Sequence, residues 1–370
     1  MRIGFHGQIL DEPVIRAGFI GCGSHSFRNI YPALQFAPVQ LVATCDLNAE
    51  RSAAFAQRFG ALRSYTDYHR MLGAEELDAV FIVTGYDASG RPLYPTQAID
   101  CLQAKCHVWI EKPPAATCAE IERMQSASAA AGRHVMVGLK KMFCPANEKA
   151  YELAHAPEFG HISLVTAQYP QSIPTPPEMA AYLRDDQQVP AVASFLDHLC
   201  HPAALLVFLL GMPEALTFER SSSGAGLATF TYQSGAIASL ALTQGSAHNG
   251  GMERTFISSD QGRHIVVENN IRLSYHRNPP VGYGDTPSYF TGSMEQATAV
   301  WQPEFSLGQL YNKGLFLLGY YNEVNEFVRA ILEQRAPRKG TLEQAWQITR
   351  IFEAFAEGPR KRIDLRNLRK

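Results

Sequence analysis

Short apolar runs alternate with helix-like stretches up to about residue 142 of the chain. Each run has the length of a buried strand and is bounded by turn or helix-forming residues. The predicted strands are Val14–Ile20, Leu41–Asp46, Ala79–Thr84, His107–Glu111 and His134–Leu139. The predicted helices between them are Ile30–Phe36, Ala49–Phe59, Tyr68–Gly73, Pro95–Ala104 and Cys118–Ala131. This alternation predicts right-handed crossovers and a doubly wound parallel sheet with helices on both faces.

Beyond residue 142 the predicted strands lie closer together and are separated by turns instead of helices. Ser221–Gly226 and Gln233–Gly235 have the composition of hairpin turns. The predicted strands are Ile162–Tyr169, Ala215–Arg220, Leu227–Gln233, Ala236–Gln244, Arg254–Ser259, His264–Glu268 and Ile271–Tyr275. The predicted helices are Ala203–Leu210, Tyr320–Gln334 and Leu342–Ala356. The fold class is therefore α/β, with a Rossmann-type domain over residues 1–142 and an α+β domain with a large mixed or antiparallel sheet over residues 143–370.

Two Pro-rich stretches interrupt the second half, at Pro170–Pro177 and Pro279–Pro287. Each is predicted to be either an ordered loop near a site or surface decoration.

Composition narrows the class of protein. The 370 residues are 46% hydrophobic and 18% charged, which is typical of globular chains and excludes disorder for most of the sequence. The net charge of −2, without a long basic run, argues against nucleic acid and against a charged membrane surface as partners. A small molecule is the expected partner.

The seven cysteines include no C-x-x-C pair, so no disulfide framework or zinc ribbon is predicted. Met1 to Glu12 lacks the features of a signal peptide, and the apolar run Ala203–Leu210 is too short to span a membrane. We therefore expect a reducing, cytoplasmic location and read that run as a buried helix.

A glycine-rich turn follows the first strand. Gly21-Cys22-Gly23-Ser24-His25-Ser26 reproduces the G-x-G-x-x-G fingerprint with Ser26 in place of the third glycine. Gly21 permits the tight turn, and Gly23 lets the backbone approach a pyrophosphate at the helix N-terminus. Asp46, at the end of the second strand, is placed to accept hydrogen bonds from a ribose and to repel a 2′-phosphate. NAD is therefore predicted in preference to NADP, with a glycine turn in some other α/β protein as the alternative.

A second motif, Glu111-Lys112-Pro113-Pro114, ends the fourth strand. It places an ammonium at the carboxyl edge of the sheet, where doubly wound folds bind ligands. Composition alone would make such a lysine a solvated surface residue.

These motifs resemble the Gfo/Idh/MocA oxidoreductases, which combine a Rossmann fingerprint, an E-K-P tripeptide and a later D-x-x-x-H motif. The matching segments are Ala104–Pro113, Val137–Phe143, Asp197–His201 and Asn325–Ile331. The chain departs from the family at several places: among them, Tyr94 replaces a common His, Gly85–Leu93 forms a longer loop, and Lys140 and Lys141 replace Asn and Arg.

The resemblance implies that Lys112, Asp197 and His201 form the catalytic group. It further implies that the cofactor is held by Gly21, Cys22, Gly23, Ser24, His25, Ser26, Asp46, Thr84, Glu111 and Lys112. Pro202 directly follows His201 and predicts a kink or a helix start there. Family practice, with the many strands of the second domain, implies a homodimer or a homotetramer.

Asp197 and His201 would share one face if they lay on one helix. An imidazole suits a base near neutrality, so His201 is assigned as base, Lys112 as polariser and Asp197 as hydroxyl anchor or imidazole partner. Asp197, His198 and His201 are ligand types, but no further ligand follows at the required spacing, so no metal is expected. Lys140 and Lys141 are predicted either to bind an anionic group of the substrate or to be solvated.

The expected activity is NAD-dependent oxidation of a secondary hydroxyl of a sugar, polyol or sugar derivative to a ketone. Two alternatives stay open: a redox-neutral glycoside-processing enzyme that retains NAD, and a dinucleotide-sensing regulator without turnover.

Overall fold

A computed structural model describes residues 2–3, 9–184, 188–245, 253–277, 297–304 and 313–366. The chain groups into two compact units, each discontinuous in sequence. Unit 1 comprises Met1–Lys140, Ala181–Cys200 and Gly319–Arg350, and unit 2 comprises Lys141–Ala180, His201–Leu318 and Ile351–Lys370. The division into two domains at residue 142 stays a prediction. Two later segments, Ala181–Cys200 and Gly319–Arg350, group in space with unit 1.

Unit 1 contains a six-stranded parallel sheet. After the short pair β1 (Arg2–Ile3) and β2 (Ile9–Leu10), its strands are β3 (Ile15–Ile20), β4 (Val39–Cys45), β5 (Arg63–Tyr65), β6 (Ala79–Ile82), β7 (His107–Glu111) and β8 (Val135–Gly138). Their order across the sheet is β5-β4-β3-β6-β7-β8, and every neighbouring pair is parallel. The order reverses between β3 and β6, so their carboxyl ends frame the crevice in which such sheets bind ligands. The predicted doubly wound sheet is confirmed, with β5 as an additional edge strand.

The helices of this sheet begin and end at recognisable signals. They are α1 (Tyr31–Leu34), α2 (Ala49–Phe59), α3 (Tyr68–Ala74), α4 (Tyr94–Gln103) and α5 (Cys118–Ala131), with a π-helical turn at Ser26–Ile30 before α1. Asn48 caps α2 through its side chain, and Thr117 forms a capping box with Glu120 at the start of α5. Gly60 and Gly132 end the two helices in the left-handed conformation.

Unit 2 is built on a nine-stranded sheet. Its helix α6 (Pro145–Ala154) precedes the strands β9 (Ile162–Tyr169), β10 (Ala215–Arg220), β11 (Gly226–Thr231), β12 (Ile237–Leu242), β13 (Arg254–Ser259), β14 (His264–Glu268), β15 (Arg272–His276), β16 (Ala299–Trp301) and β17 (Ile363–Asp364). The order is β16-β15-β14-β13-β9-β12-β11-β10-β17, antiparallel except for the pair β9 and β12. The predicted mixed sheet is confirmed, and both predicted hairpin turns connect neighbouring antiparallel strands.

The remaining helices are α7 (Pro176–Leu183), α8 (Pro190–Leu210), α9 (Lys313–Leu317), α10 (Tyr320–Leu332) and α11 (Leu342–Ala354). Helix α10 belongs to unit 1, where the ring of Phe327 lies 5.4 Å from that of Phe81 on β6. The Pro-rich stretch Pro170–Pro177 leads into α7, whereas the stretch Pro279–Pro287 lies outside the described residues.

Helix α8 corrects the expected start of its segment. The helix does not start at Pro202 but at Pro190, and it runs through Pro202 to Leu210. Phe195, Leu196 and Leu199 are buried ahead of Pro202, so apolar packing extends the helix past a residue that removes one backbone hydrogen bond. The whole helix is long and apolar enough to cross a membrane, yet 67% of its most apolar stretch is buried within the protein, as in a core helix.

Candidate active site

The glycine loop turns sharply where β3 ends. Gly21 has a φ of +104°, and a Cβ at this position would lie 2.0 Å from the carbonyl oxygen of Val83, so only glycine fits. At Gly23 a Cβ would meet no atom within 4 Å, which means that its bare backbone faces open space. The loop therefore has both features that a close approach to a pyrophosphate requires.

Other loop residues hold the turn together. Ser26, in place of the third glycine, is buried and donates from its hydroxyl to the carbonyl oxygen of Gly23 at 2.8 Å. Cys22 is buried, and burial raises the pKa of its thiol to about 11, so the thiol is neutral near pH 7. Ser24 is exposed at the first turn of the helix.

Asp46 follows β4 and ties it to the glycine loop. Its Oδ2 accepts from the backbone N–H of Cys22 at 2.8 Å, and its Oδ1 accepts from that of Asn48 at 2.9 Å. The guanidinium of Arg51 lies 3.8 Å from Oδ1. The carboxylate is therefore fixed beside the loop, and a nearby cation partly balances its charge.

A cavity of about 570 Å³ opens at this crevice of unit 1. Of the residues predicted to bind the cofactor, Gly21, Gly23, Asp46 and Thr84 line it. The Thr84 hydroxyl donates to Oε1 of Gln97 at 2.7 Å, and its carbonyl accepts from the hydroxyl of Tyr94 at 2.8 Å. The glycine loop, the fixed carboxylate and the cavity volume together fit a bound dinucleotide.

Lys112 follows β7 directly and is in contact with Asp197. Its ammonium donates to Oδ1 of Asp197 at 2.8 Å, and only 15% of its side chain is exposed. Burial by itself would lower the pKa of Lys112, but the charges of Asp197 and Glu111 and the hydrogen bond outweigh it and raise the pKa. The interpretation of this lysine as a solvated surface residue is therefore wrong.

Tyr86 is a site residue that the sequence reasoning missed. Its hydroxyl donates to the same Oδ1 of Asp197 at 2.8 Å, and the residue is among those that line the cavity. Burial and the charge of Asp197 raise the pKa of Tyr86, so its hydroxyl remains a neutral donor. The signal in the sequence was the long loop Gly85–Leu93, in which Tyr86 is the only aromatic residue.

Glu111 and His25 form a second polar contact near the strand end. The Nε2 atom of His25 lies 2.7 Å from Oε1 of Glu111, and Oε2 accepts from the backbone N–H of Lys112 at 3.0 Å. The amide nitrogen of Asn29 lies 3.2 Å from Nδ1 of His25. This arrangement orients Nε2–H towards the carboxylate.

Glu323 on α10 is a further residue without a sequence signal. It is 0% exposed, and neither of its carboxyl oxygens has a hydrogen-bond partner among the described residues. Burial, and the negative charge of Glu111 after it, raise the pKa of Glu323 well above its usual range, although the charge of Lys140 acts in the opposite direction. These surroundings therefore favour the neutral acid over the carboxylate.

The two lysines after β8 have protein partners, which contradicts the solvated interpretation of each. The ammonium of Lys140 donates to the hydroxyl of Tyr320 at 2.8 Å within unit 1. Lys141, only 6% exposed, donates to both oxygens of Glu253 at 2.6 and 2.7 Å within unit 2.

His201 lies four residues after Asp197 on the continuous helix α8, so the periodicity expected for the motif is present. In unit 2 its ring centroid lies 6.1 Å from that of Tyr169. His198 is different, because its Nδ1 lies 2.8 Å from the carbonyl oxygen of Ser194. No group of three or more His, Cys, Asp or Glu arranged to hold a metal ion occurs within the part of the chain that the structure describes.

Comparison with known proteins finds a family match for the Rossmann part of the chain. Residues 15–139 match the oxidoreductase family with an NAD-binding Rossmann fold, GFO_IDH_MocA. The chain is 32% identical over 158 residues to scyllo-inositol 2-dehydrogenase (NADP(+)) IolU of Bacillus subtilis, covering 43% of this chain and 46% of that protein. It is 36% identical over 122 residues to D-apiose dehydrogenase of Paraburkholderia graminis, covering 33% and 31%. The matched region thus spans less than half the length of these curated relatives.

Solved structures share the fold across nearly the whole chain. A dehydrogenase from Chromobacterium violaceum has a TM-score of 0.74 at 21% identity, covering 92% of this chain and 94% of that one. The myo-inositol 2-dehydrogenase of Lactobacillus plantarum has a TM-score of 0.68 at 20% identity, covering 95% and 99%. The resemblance noted from the motifs is confirmed, and the Rossmann part of this chain, residues 15–139, belongs to the Gfo/Idh/MocA family of oxidoreductases.

Proposed function

We propose that the protein is an NAD-dependent dehydrogenase that oxidises a secondary hydroxyl of a sugar or polyol to a ketone. The observation that carries this proposal is the Lys112–Asp197 ion pair, with Nζ and Oδ1 2.8 Å apart at the end of β7. Tyr86 connects the pair to the cavity, because its hydroxyl contacts Asp197 and the residue also lines the cavity. A polar catalytic group thus adjoins a cavity that fits a dinucleotide.

The substrate class follows from the relatives. Their names specify scyllo-inositol, inositol, D-apiose and D-xylose dehydrogenases, all of which act on polyhydroxylated compounds. We extend that class, and not any one of these compounds, to this chain.

The dinucleotide would be held by the residues at the crevice. Gly21 and Gly23 would admit the pyrophosphate, Asp46 would accept from the adenosine ribose, and Thr84 would line the cavity beside it. NAD is favoured over NADP because the Asp46 carboxylate would repel a 2′-phosphate. Arg51, 3.8 Å away, reduces this preference.

When bound, the nicotinamide supplies the hydride acceptor, and the protein must accept the proton that the substrate hydroxyl loses. Lys112 is not the base, because its raised pKa keeps it protonated. Its ammonium instead donates to the substrate hydroxyl and stabilises the oxygen as that oxygen loses its proton. His201 is the proposed base, since an imidazole titrates near neutrality and lies on the helix that carries Asp197.

The test is NADH formation, followed by absorbance, when purified protein and NAD⁺ meet a panel of myo-inositol, scyllo-inositol, D-xylose, D-apiose and D-glucose. We expect turnover with at least one member and a loss of about 10²-fold or more in Lys112→Met. Lys149→Met is the matched control, because Lys149 forms a surface pair with Glu152 and should keep full activity.

Two outcomes would contradict the proposal. Protein that purifies with nucleotide and never exchanges it would favour the redox-neutral enzyme. Reversible binding of NAD⁺ without turnover of any panel member, in wild type and variants alike, would favour the regulatory sensor.

A further inference from the structure

The loop Gly85–Leu93 is a compact hairpin with its own hydrogen bonds. Tyr86 and Pro92 form an isolated antiparallel bridge. Oδ1 of Asp87 accepts from the backbone N–H groups of Ser89 and Arg91, both at 2.9 Å. These bonds fix the backbone that carries Tyr86, so its side chain projects from a rigid base.

The same loop is fastened to the segment that leads into α8. The buried hydroxyl of Tyr182 donates to the carbonyl oxygen of Gly90 at 2.9 Å. Arg91 donates to the carbonyl oxygens of Tyr182 and Leu183 at 3.1 and 3.2 Å, and its guanidinium lies 5.7 Å from the centroid of the Tyr182 ring. All of these residues belong to unit 1, as do Lys112 and Asp197. The loop that carries Tyr86 is therefore hydrogen-bonded to the end of α7, and it also approaches α8, since a Cβ at Gly90 would lie 3.4 Å from that of Ala193.

We propose that Tyr86 is a positioning residue, whose hydroxyl holds the Asp197 carboxylate in place for the Lys112 ammonium beside the dinucleotide cavity. The geometry is direct, because Tyr86 and Lys112 donate to one oxygen, each at 2.8 Å. A carboxylate that accepts a single bond can rotate about its side chain, whereas two donors from separate elements restrict it. The part of the inference that concerns turnover rests on the function proposed above.

A competing interpretation makes the opposite prediction. If Tyr86 merely shared Oδ1 with Lys112, its removal would leave the carboxylate more available and strengthen the ion pair. If Tyr86 positions Asp197, its removal lets the carboxylate turn away, and burial then lowers the pKa of Lys112. The other charged or titratable groups acting on Lys112 are Glu111 and Cys200, and both remain in either case.

The first measurement needs no substrate. The pKa of Lys112 is read by NMR titration of protein carrying ¹³C-labelled lysine, with the signal assigned by Lys112→Arg. In Tyr86→Phe we expect the titration midpoint to fall by about one pH unit. An unchanged or raised midpoint would overturn the proposal.

Tyr65→Phe is the matched control. The hydroxyl of Tyr65 donates to Oε1 of Glu75 at 2.5 Å, and Glu75 also pairs with Arg63. Tyr65, Glu75 and Arg63 repeat, beside the edge strand β5, the combination of tyrosine, carboxylate and cation found at the site. Tyr65→Phe should therefore leave the titration midpoint of Lys112 unchanged. Arg91→Met is a second variant, for the case that Tyr86→Phe folds poorly. It loosens the loop without contacting Asp197, and it should also lower the titration midpoint of Lys112.

The second measurement uses the sugar or inositol that the panel identifies. Tyr86→Phe should lower kcat about tenfold while the dissociation constant of NADH stays within twofold of wild type, because phenylalanine keeps the aromatic ring and removes only the hydroxyl. A kcat within twofold of wild type would also overturn the proposal. If no panel member is oxidised, the proposed function fails, and the Lys112 titration still decides the role of Tyr86.

Discussion

The ammonium of Lys112 lies 2.8 Å from Oδ1 of Asp197, although the two residues are 85 positions apart in the chain. The contact gives the buried cation a countercharge, which is why its pKa is raised even though burial acts against it. The Asp197 carboxylate accepts hydrogen bonds from Lys112 and Tyr86 on Oδ1, and Nδ1 of His198 lies 3.7 Å from its Oδ2.

The assignment of His201 as base predicts a contrast between two histidines of α8. His201→Ala should lose about 10²–10⁴ in turnover with nearly unchanged NADH affinity, and wild-type turnover should fall as the pH drops through the range in which histidines protonate. His198→Ala should keep most of its activity, because the Nδ1–H of His198 bonds to the carbonyl oxygen of Ser194. Steady-state kinetics on the identified substrate measures both. Inactive His198→Ala with active His201→Ala would mean that the motif is misaligned.

The preference for NAD should depend on Asp46. Asp46→Ser should weaken the binding of NAD, because the ribose loses its acceptor and the Cys22 N–H loses its partner. It should also narrow the difference between the NAD and NADP affinities, because the repulsion of the 2′-phosphate is relieved. Arg51→Ala is the matched variant and should weaken NADP more than NAD. Isothermal titration gives the six dissociation constants, and equal affinities of wild type for both cofactors would remove the argument.

Glu323 predicts a pH-dependent stability. Its pKa is raised on folding, so between about pH 4.3, the ordinary pKa of glutamate, and the higher folded value the native state binds a proton that the unfolded state lacks. Stability then falls as the pH rises through that window, by up to about 1.4 kcal/mol per pH unit. Glu323→Gln removes the ionisation, so its stability relative to wild type should increase with pH in urea unfolding.

Glu326 on the same helix provides the control for Glu323. Burial would raise the pKa of Glu326, but its hydrogen bonds with Arg335 and with the N–H of Arg338 outweigh burial and lower it. Glu326→Gln should therefore destabilise the protein at neutral pH, opposite in sign to Glu323→Gln. Equal pH dependence of wild type and Glu323→Gln would contradict a neutral Glu323.

The neighbouring lysines Lys140 and Lys141 should respond differently to replacement. Lys141→Met leaves the Glu253 carboxylate without its buried cation, so it should cost about 2 kcal/mol in unfolding free energy. Lys140→Met loses a hydroxyl contact with Tyr320 and is the better test of a substrate contact, through its Michaelis constant. If neither variant changes that constant, the predicted role of these lysines in substrate binding fails.

The sheet of unit 2 is the predicted oligomer interface. Leu227 and Ile237 are 50% and 44% exposed on one face, and Leu164 lies opposite Ile237 on the neighbouring strand. Light scattering should report a particle with at least twice the mass of the 40.9 kDa chain. In Ile237→Lys the measured mass should fall towards that of a single chain. Asn269→Lys, on a turn outside these strands, should leave the mass unchanged. A 40.9 kDa wild-type particle at micromolar concentration would refute the interface.

Much of the local structure could be read from the sequence, because local spacing determines it. The bounds of α2, α5 and β7 agree with prediction at both ends, since caps, glycines and apolar periods act over a few residues. The short edge strand β5 and the helices α6 and α7 were missed: β5 has only three residues, α6 begins at Pro145 without a side-chain cap, and α7 begins inside the stretch Pro170–Pro177, which predicts a loop.

Tertiary structure decided what required residues distant in the chain to meet. The sequence placed Lys112 at a strand end and Gly21, Gly23 and Asp46 around a nucleotide, and the structure puts the last three in one crevice. It could not show that the Lys112 side chain is only 15% exposed, that Tyr86 contacts Asp197, or that Glu323 lies near Glu111. Burial and countercharge set the protonation of these groups, and both depend on the packing of separate elements, which no local pattern of residues records.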